Sequence, residues 1–220
     1  MRRASLRILI VSNLYPDRRL PAFGAFVAAH AEALRRAGAV VDVIAITGIP
    51  AYEAVLRKYA VLTVRSLLGA VKARLTGRRP QVVEAHIAYP TALPAWMASR
   101  IVGARLVVYS HGSDVTGAGA GGIGNLSAGS GFHRRLARKV FRAADLHVAT
   151  SAFIATELEA RFNVDRRRVL VLSPGINFQL FSKRGSRARR GGILFVGRLA
   201  RGKGVHELLQ AVARLDPRTE

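Results

Sequence analysis

"LRILIVSNLYPDRRLPAFGAFVAAHAEALRRAG", residues 6–38, is an apolar run, a polar loop and a stretch of helical period in that order. Leu6 to Val11 is too continuously apolar for a half-exposed strand, so it reads as a strand buried on both faces. The helical stretch starts just after Gly24 and ends at Gly38, where a left-handed C-terminal cap is expected. A buried strand passing through a loop into an amphipathic helix is the first unit of a doubly wound parallel sheet. The same order returns at residues 191–212, "GGILFVGRLARGKGVHELLQAV", which predicts a second such beginning, with a strand at Ile193 to Val196.

Further runs rich in Val, Ile and Leu follow the first: Val40 to Ile46, Val82 to Ile87, Leu106 to Tyr109, Leu146 to Thr150 and Val169 to Leu172. Helical segments such as "SAFIATELEARF" (151–162) separate them. The alternation predicts an α/β fold, a doubly wound parallel sheet with right-handed crossovers and helices on both faces. Residues 117–131, dominated by Gly, Ala and Ser, are expected to be a mobile loop. Residues 183–192, "KRGSRARRGG", are basic and polar, and the expected division is 1–185 and 186–220.

Composition narrows the possibilities. The 220 residues, 50% apolar, are enough for a well-buried domain, and the absence of cysteine excludes disulfides, thiolate metal sites and thiol nucleophiles. "MRRASLRILIVSN" has arginines before an apolar run, but Arg7 interrupts it and no small-residue cleavage pattern follows, so it is read as a strand rather than a secretion signal. No run of roughly 18 uncharged apolar residues is present to form a spanning helix. The expected location is cytoplasmic, with the inner face of a membrane as an alternative. The net charge of +22 calls for an anionic partner, or reflects an arginine-rich composition, and does not choose between them.

In open parallel sheets ligands bind beyond the carboxyl ends of the strands. Gly24 there is either part of an ordinary loop or a place where a phosphate approaches a helix N-terminus. "EAHIAYP" and "YSHGSDV" put His86, His111 and Asp114 at the ends of the third and fourth strands, where they suit sugar hydroxyls or serve the structure. Their spacing is not that of a compact metal motif, so no metal is expected, and no G-x-S-x-G elbow offers a serine nucleophile. In "GRLARGKG" (197–204), Arg198 and Lys203 flank a glycine-rich turn that is either solvated surface or a place where both cations converge on one diphosphate; Gly204 after the lysine excludes a Walker motif.

Taken together, residues 8–45, 82–115, 141–181 and 193–212 resemble glycosyltransferase family 4, whose GT-B fold sets two Rossmann-like domains about a cleft. The resemblance implies a Rossmann-like, acceptor-binding N-terminal domain followed by a truncated second Rossmann-like domain, and a retaining, metal-independent hexosyl transfer from a nucleotide-diphosphate sugar to a glycan or lipid-linked acceptor, with no cofactor. By that resemblance Arg198, Lys203 and Gly24 hold the donor diphosphate, His111 contacts the transferred sugar at the reacting centre, and His86 and Asp114 lie around the acceptor. The leaving phosphate is the family's usual recipient of the acceptor proton. Many members have paired glycines where this chain has Gly24 alone, and the family's Glu-x7-Glu element is missing, since only Glu207 and Glu220 follow Glu159. The sequence is therefore expected to be a fragment, a truncated product or one half of a split enzyme completed by a separate chain. On its own it is expected to transfer little sugar.

Residues 52–79 read as a basic amphipathic helix, with Val55, Tyr59, Leu62, Leu67, Val71 and Leu75 interleaved with Arg57, Lys58, Arg65, Lys72 and Arg74. Such a helix either lies on an anionic membrane or packs on the core with a solvated basic face. A nucleic-acid-binding module using 183–190 and the arginines at 134, 135, 138 and 166–168 is the alternative from another class, but no zinc-finger or RRM signature accompanies it.

Overall fold

A computed structural model describes residues 5–47, 55–116, 131–176, 192–197, 199 and 203–215. The six expected strands are present: β1 (Arg7–Ser12), β2 (Val40–Ala45), β3 (Val82–His86), β4 (Arg105–Ser110), β5 (Leu146–Ala149) and β6 (Val169–Val171). All pair in parallel, in the order β2-β1-β3-β4-β5-β6. The helices are α1 (Ala25–Arg36), α2 (Val55–Leu75), α3 (Ala92–Val102), the short α4 (Ser113–Thr116), α5 (Gly131–Ala143), α6 (Ala152–Phe162) and α7 (Val205–Val212).

This order dictates which helices share a face. From β1 the chain steps one way to β2 and then only the other way, so right-handed crossovers set α1 on one face and α2, α3, α5 and α6 on the opposite one. The period-two alternation of β1 divides accordingly. Ile8 and Ile10 join Val27 and Ala31 of α1 and Val41 in a small core. Leu9 and Val11 join the larger core, with Leu62 of α2, Ala95 of α3, Phe141 of α5 and Leu158 of α6. The two directions part between β1 and β3, which makes the carboxyl ends of those strands the crevice where a ligand fits.

Local signals explain the helix ends. Gly38, at φ 93°, follows α1 and donates its N–H to the Arg35 carbonyl, as the sequence led one to expect. Ser151 caps α6 by accepting the Ile154 N–H at 3.3 Å, and Asn163 ends it in the left-handed region at φ 55°.

The structure corrects three expectations. Continuous burial on both faces fails for the outermost strands: β2 and β6 have neighbours on one side only and expose Val40, Leu170 and Val171. The strand expected at Ile193 to Val196 does not form; these residues are irregular, with Ile193, Leu194 and Val196 exposed by 60%, 85% and 84%. No described strand runs beside them to take up their backbone N–H and C=O groups, and an apolar run without a ladder is not a strand. The third concerns α2, whose buried side includes Tyr59 and Leu62, both packed with the larger core, and Lys58, which is fully buried.

The chain divides into two compact units, Met1–Pro174 and Gly175–Glu220. The expected glycine-rich loop at 117–131, apart from Gly131 which opens α5, the basic tract at 183–192, apart from Gly192, and the expected boundary at 185/186 lie outside the described residues. Within the second unit the described element is α7, entered through Gly204 in the left-handed region at φ 76°.

Candidate functional site

The first loop leaves β1 and folds back on the start of α1. The Ser12 hydroxyl turns the chain, accepting the Leu14 N–H at 3.1 Å and donating to the Leu14 carbonyl at 2.7 Å, and Asn13 Nδ2 donates to the Tyr59 hydroxyl at 2.7 Å. Farther along, Asp17 Oδ1 accepts the N–H groups of Arg19 and Leu20, both at 2.8 Å. Gly24 caps α1 at φ 74°, and a Cβ there would stand 2.6 Å from the Leu14 carbonyl carbon and 2.7 Å from the Tyr15 nitrogen. No L side chain fits against backbone at that distance, so the chain's own crossing already requires glycine here. Gly24 also opens a 12-residue helix, whose N-terminal end carries the positive end of the helix dipole.

Beyond β3 and β4 the sheet register sets His86 beside Tyr109, and their rings stack at 4.4 Å with an interplanar angle of 10°. His111 continues the layer, 5.6 Å from His86, and its outer side meets Phe26 from the first turn of α1 at 4.6 Å. His30, one turn further along α1, stands 5.0 Å from His86 and 5.1 Å from Tyr109. Beneath lies Glu84, whose Oε2 is 2.9 Å from His30 Nε2 and 3.6 Å from His86 Nε2. Glu84 was legible as a neighbour of His86, because residues two apart on a strand share a face. His30, Phe26 and Tyr109 were not, since the packing of α1 on the sheet brings the first two here and the β3–β4 register brings Tyr109.

Burial sets the charge state of this cluster. The imidazole of His111 is pushed down to about 3 by burial, assisted by His86 and His30, so near neutral pH it is an uncharged ring that donates and accepts hydrogen bonds rather than a cation. Burial also lowers His86, against the pull of Glu84. For Glu84 burial works upward, but His30 and His86 together hold it below the usual carboxylate range. Burial and the nearby Glu84 raise the Tyr109 phenol.

Asp114 has a different place. It is 3% exposed, and its carboxylate accepts the N–H groups of Ala88 at 2.7 Å, Gly112 at 2.7 Å and His111 at 3.0 Å. Burial raises its carboxyl, and the three N–H donors work in the opposite direction. Asp114 thereby fastens the loop carrying His111 to the loop after β3, and both of its oxygens are engaged by backbone.

Of the residues singled out from sequence, the first unit brings together His86, His111, Asp114 and the helix start at Gly24. Lys203 is exposed at the entrance of α7 in the second unit, and Arg198 lies outside the described residues.

Known proteins share this architecture. The profile of Glycosyltransferase Family 4 matches residues 24–180. Among solved structures, a glycosyltransferase from Rickettsia africae ESF-5 aligns with a TM-score of 0.52 and 15% identity over 81% of this chain and 45% of its own. HepE from Anabaena, in complex with UDP and glucose, aligns at 0.48 and 15% over 80% of this chain and 46% of its own. The S. aureus MnaA-UDP co-structure aligns at 0.47 and 17%, covering 76% and 43%. The chain thus spans less than half the length of these structures. No curated protein matches it significantly.

Proposed function

Because the chain belongs to glycosyltransferase family 4, we propose that its first unit is the acceptor-side lobe of a retaining, metal-independent transferase that moves a sugar from a nucleoside-diphosphate donor to a glycan or lipid-linked acceptor. The observation that carries this reading is the uncharged His111, held between Phe26 of α1 and the His86–Tyr109 stack at the topological switch point. A neutral imidazole there hydrogen-bonds a sugar hydroxyl without competing for the anionic leaving group. As the glycosidic bond breaks, negative charge grows on the departing phosphate oxygen, and fixed cations placed there stabilise the transition state more than the ground state. Arg198 and Lys203 are assigned that role, and the N-terminus of α1 a supporting one. The departing phosphate takes the acceptor's proton.

Binding and turnover separate these roles. In titrations with UDP and a panel of nucleotide sugars, Lys203→Ala is expected to weaken nucleotide binding about 10- to 100-fold, the loss of one charge-assisted contact. His111→Ala is expected to leave nucleotide affinity nearly unchanged and, assayed together with a chain supplying the rest of the donor domain, to reduce sugar transfer about 10²- to 10³-fold. Equal nucleotide affinity in wild type and Lys203→Ala would remove the diphosphate role from the second unit.

We further assign α2 to an anionic membrane surface, where a lipid-linked acceptor resides. The face involved differs from the one the periodicity suggested, because Tyr59 and Leu62 point into the core. The solvent ridge consists of Leu56, Val64, Leu68, Val71 and Leu75, flanked by the exposed Arg57, Arg65, Lys72 and Arg74. No helix among the described residues is long and apolar enough to cross a membrane, so this attachment is along the surface. Each base near an acidic leaflet adds about 1 kcal/mol. The protein is expected to float with vesicles containing acidic lipid, to do so much less with neutral vesicles, and to lose most of that binding in Leu68→Asp. Equal recovery with both lipids would count against the assignment.

A further inference from the structure

We propose that His30, Glu84 and His86 form a binding site for a divalent transition-metal ion of the zinc type, which ties α1 to β3 beneath the sugar-binding stack. The inference stands apart from the transfer reaction, since the ion lies under the ring layer and polarises no reacting bond.

The geometry comes first. One ligand atom from each of the three residues lies within 4.8 Å of the others. In a tetrahedral site with metal–nitrogen and metal–oxygen bonds of about 2.1 Å, ligand atoms stand about 3.4 Å apart. The observed separations, 2.9 Å from Glu84 Oε2 to His30 Nε2 and 3.6 Å to His86 Nε2, fall on either side of that value. Both are within about half an ångström of it, and the third separation, between His30 and His86, is within 4.8 Å, so closing the site asks mainly for a side-chain rotation of the partly exposed His30.

The second observation is the hydrogen-bonding state of His86 rather than its position. His86 is 1% exposed, yet neither of its ring nitrogens has a hydrogen-bond partner; the Glu84 oxygen at 3.6 Å is beyond reach. Buried polar atoms are seldom left this way, and an imidazole lone pair aimed at a carboxylate and a second imidazole has a ready use in metal coordination. His30 retains 25% side-chain exposure, which gives an ion a way in and leaves room for water as a fourth ligand. Two imidazoles with one carboxylate favour zinc and its neighbours over magnesium or calcium, which prefer all-oxygen shells. Coordination needs His30 to present Nε2 as a lone pair, with its hydrogen on Nδ1.

The test uses the full chain, stripped with a chelator and titrated with Zn²⁺ alone against a chromophoric zinc indicator. Uptake of one equivalent, with a dissociation constant of about 1 μM or tighter, is expected, and His30→Ala and Glu84→Gln are each expected to weaken it at least tenfold. As a control on folding, zinc should raise the melting temperature of the wild type but not that of His30→Ala, whose substituted side chain is partly exposed. The proposal is overturned if no stoichiometric uptake occurs. It is equally overturned if uptake persists unchanged in both variants, which would assign the ion to His133, His147 or His206, or if Mg²⁺ competes on equal terms.

Discussion

Replacing Asp114 with alanine is expected to destabilise the first unit by about 3–5 kcal/mol, because three buried N–H groups lose their acceptor at once. The donors are the backbone amides of Ala88, His111 and Gly112, and the carboxylate is fully enclosed. Asp114→Asn keeps the shape and one acceptor oxygen but turns an amide N–H₂ toward backbone donors, so roughly half of that loss is expected. Urea unfolding of the two variants beside wild type measures both. A loss under about 1 kcal/mol in Asp114→Ala would show that the two loops hold without the clamp. Where the clamp matters, His111 is displaced together with it, since the donors include the amide of His111 itself.

The second large effect is acid sensitivity. His111 and His147 are both held below the ordinary histidine range by burial; His147 is fully enclosed, with Nε2 2.9 Å from the Phe141 carbonyl. A histidine whose folded pKa lies below its unfolded value binds more protons when unfolded, so the stability it confers is present above about pH 6.5 and is lost as the pH falls toward the folded value. With His111 at about 3, this residue alone removes about 2 kcal/mol between pH 7 and pH 5, and His147 adds to the loss. The lowered carboxylates Glu84, Asp145 and Asp165 release their contribution only at more acid pH, below about 4.5. Asp114, raised by burial, acts in the opposite sense. Melting temperatures measured with a chelator present should therefore fall steadily from about pH 7 to about pH 5. A flat profile over that window, in wild type or His147→Gln, would contradict the burial of these rings.

Both effects arise from contacts that no sequence pattern announces. Asp114 reads as one polar residue in "HGSD", and its role appears only because the loops after β3 and β4 end side by side in the sheet. Lys58 reads as part of a solvated basic face, yet α2 turns it inward, with its ammonium 5.5 Å from the Phe23 ring. In α2 the apolar residues surround the helix more fully than a single stripe, so periodicity cannot tell the core side from the ridge of Leu56, Val64, Leu68 and Leu75.

What this sequence determined by itself is the six strands of the first unit, their parallel arrangement and the end of the sheet at which the candidate site residues gather. Continuous apolar runs separated by helical segments allow few other solutions, because strands buried on both faces need helices on both faces and right-handed crossovers between them. Tertiary structure alone decided which strands became edges and which face of α2 met the core. It also decided that the run at residues 193–196 forms no strand among the described residues, and that His30 and Phe26 of α1 complete the layer begun by His86 and His111. The physical reason is common to all of these: a period along the chain records which residues share a surface, whereas the neighbour that covers that surface is supplied by a distant segment.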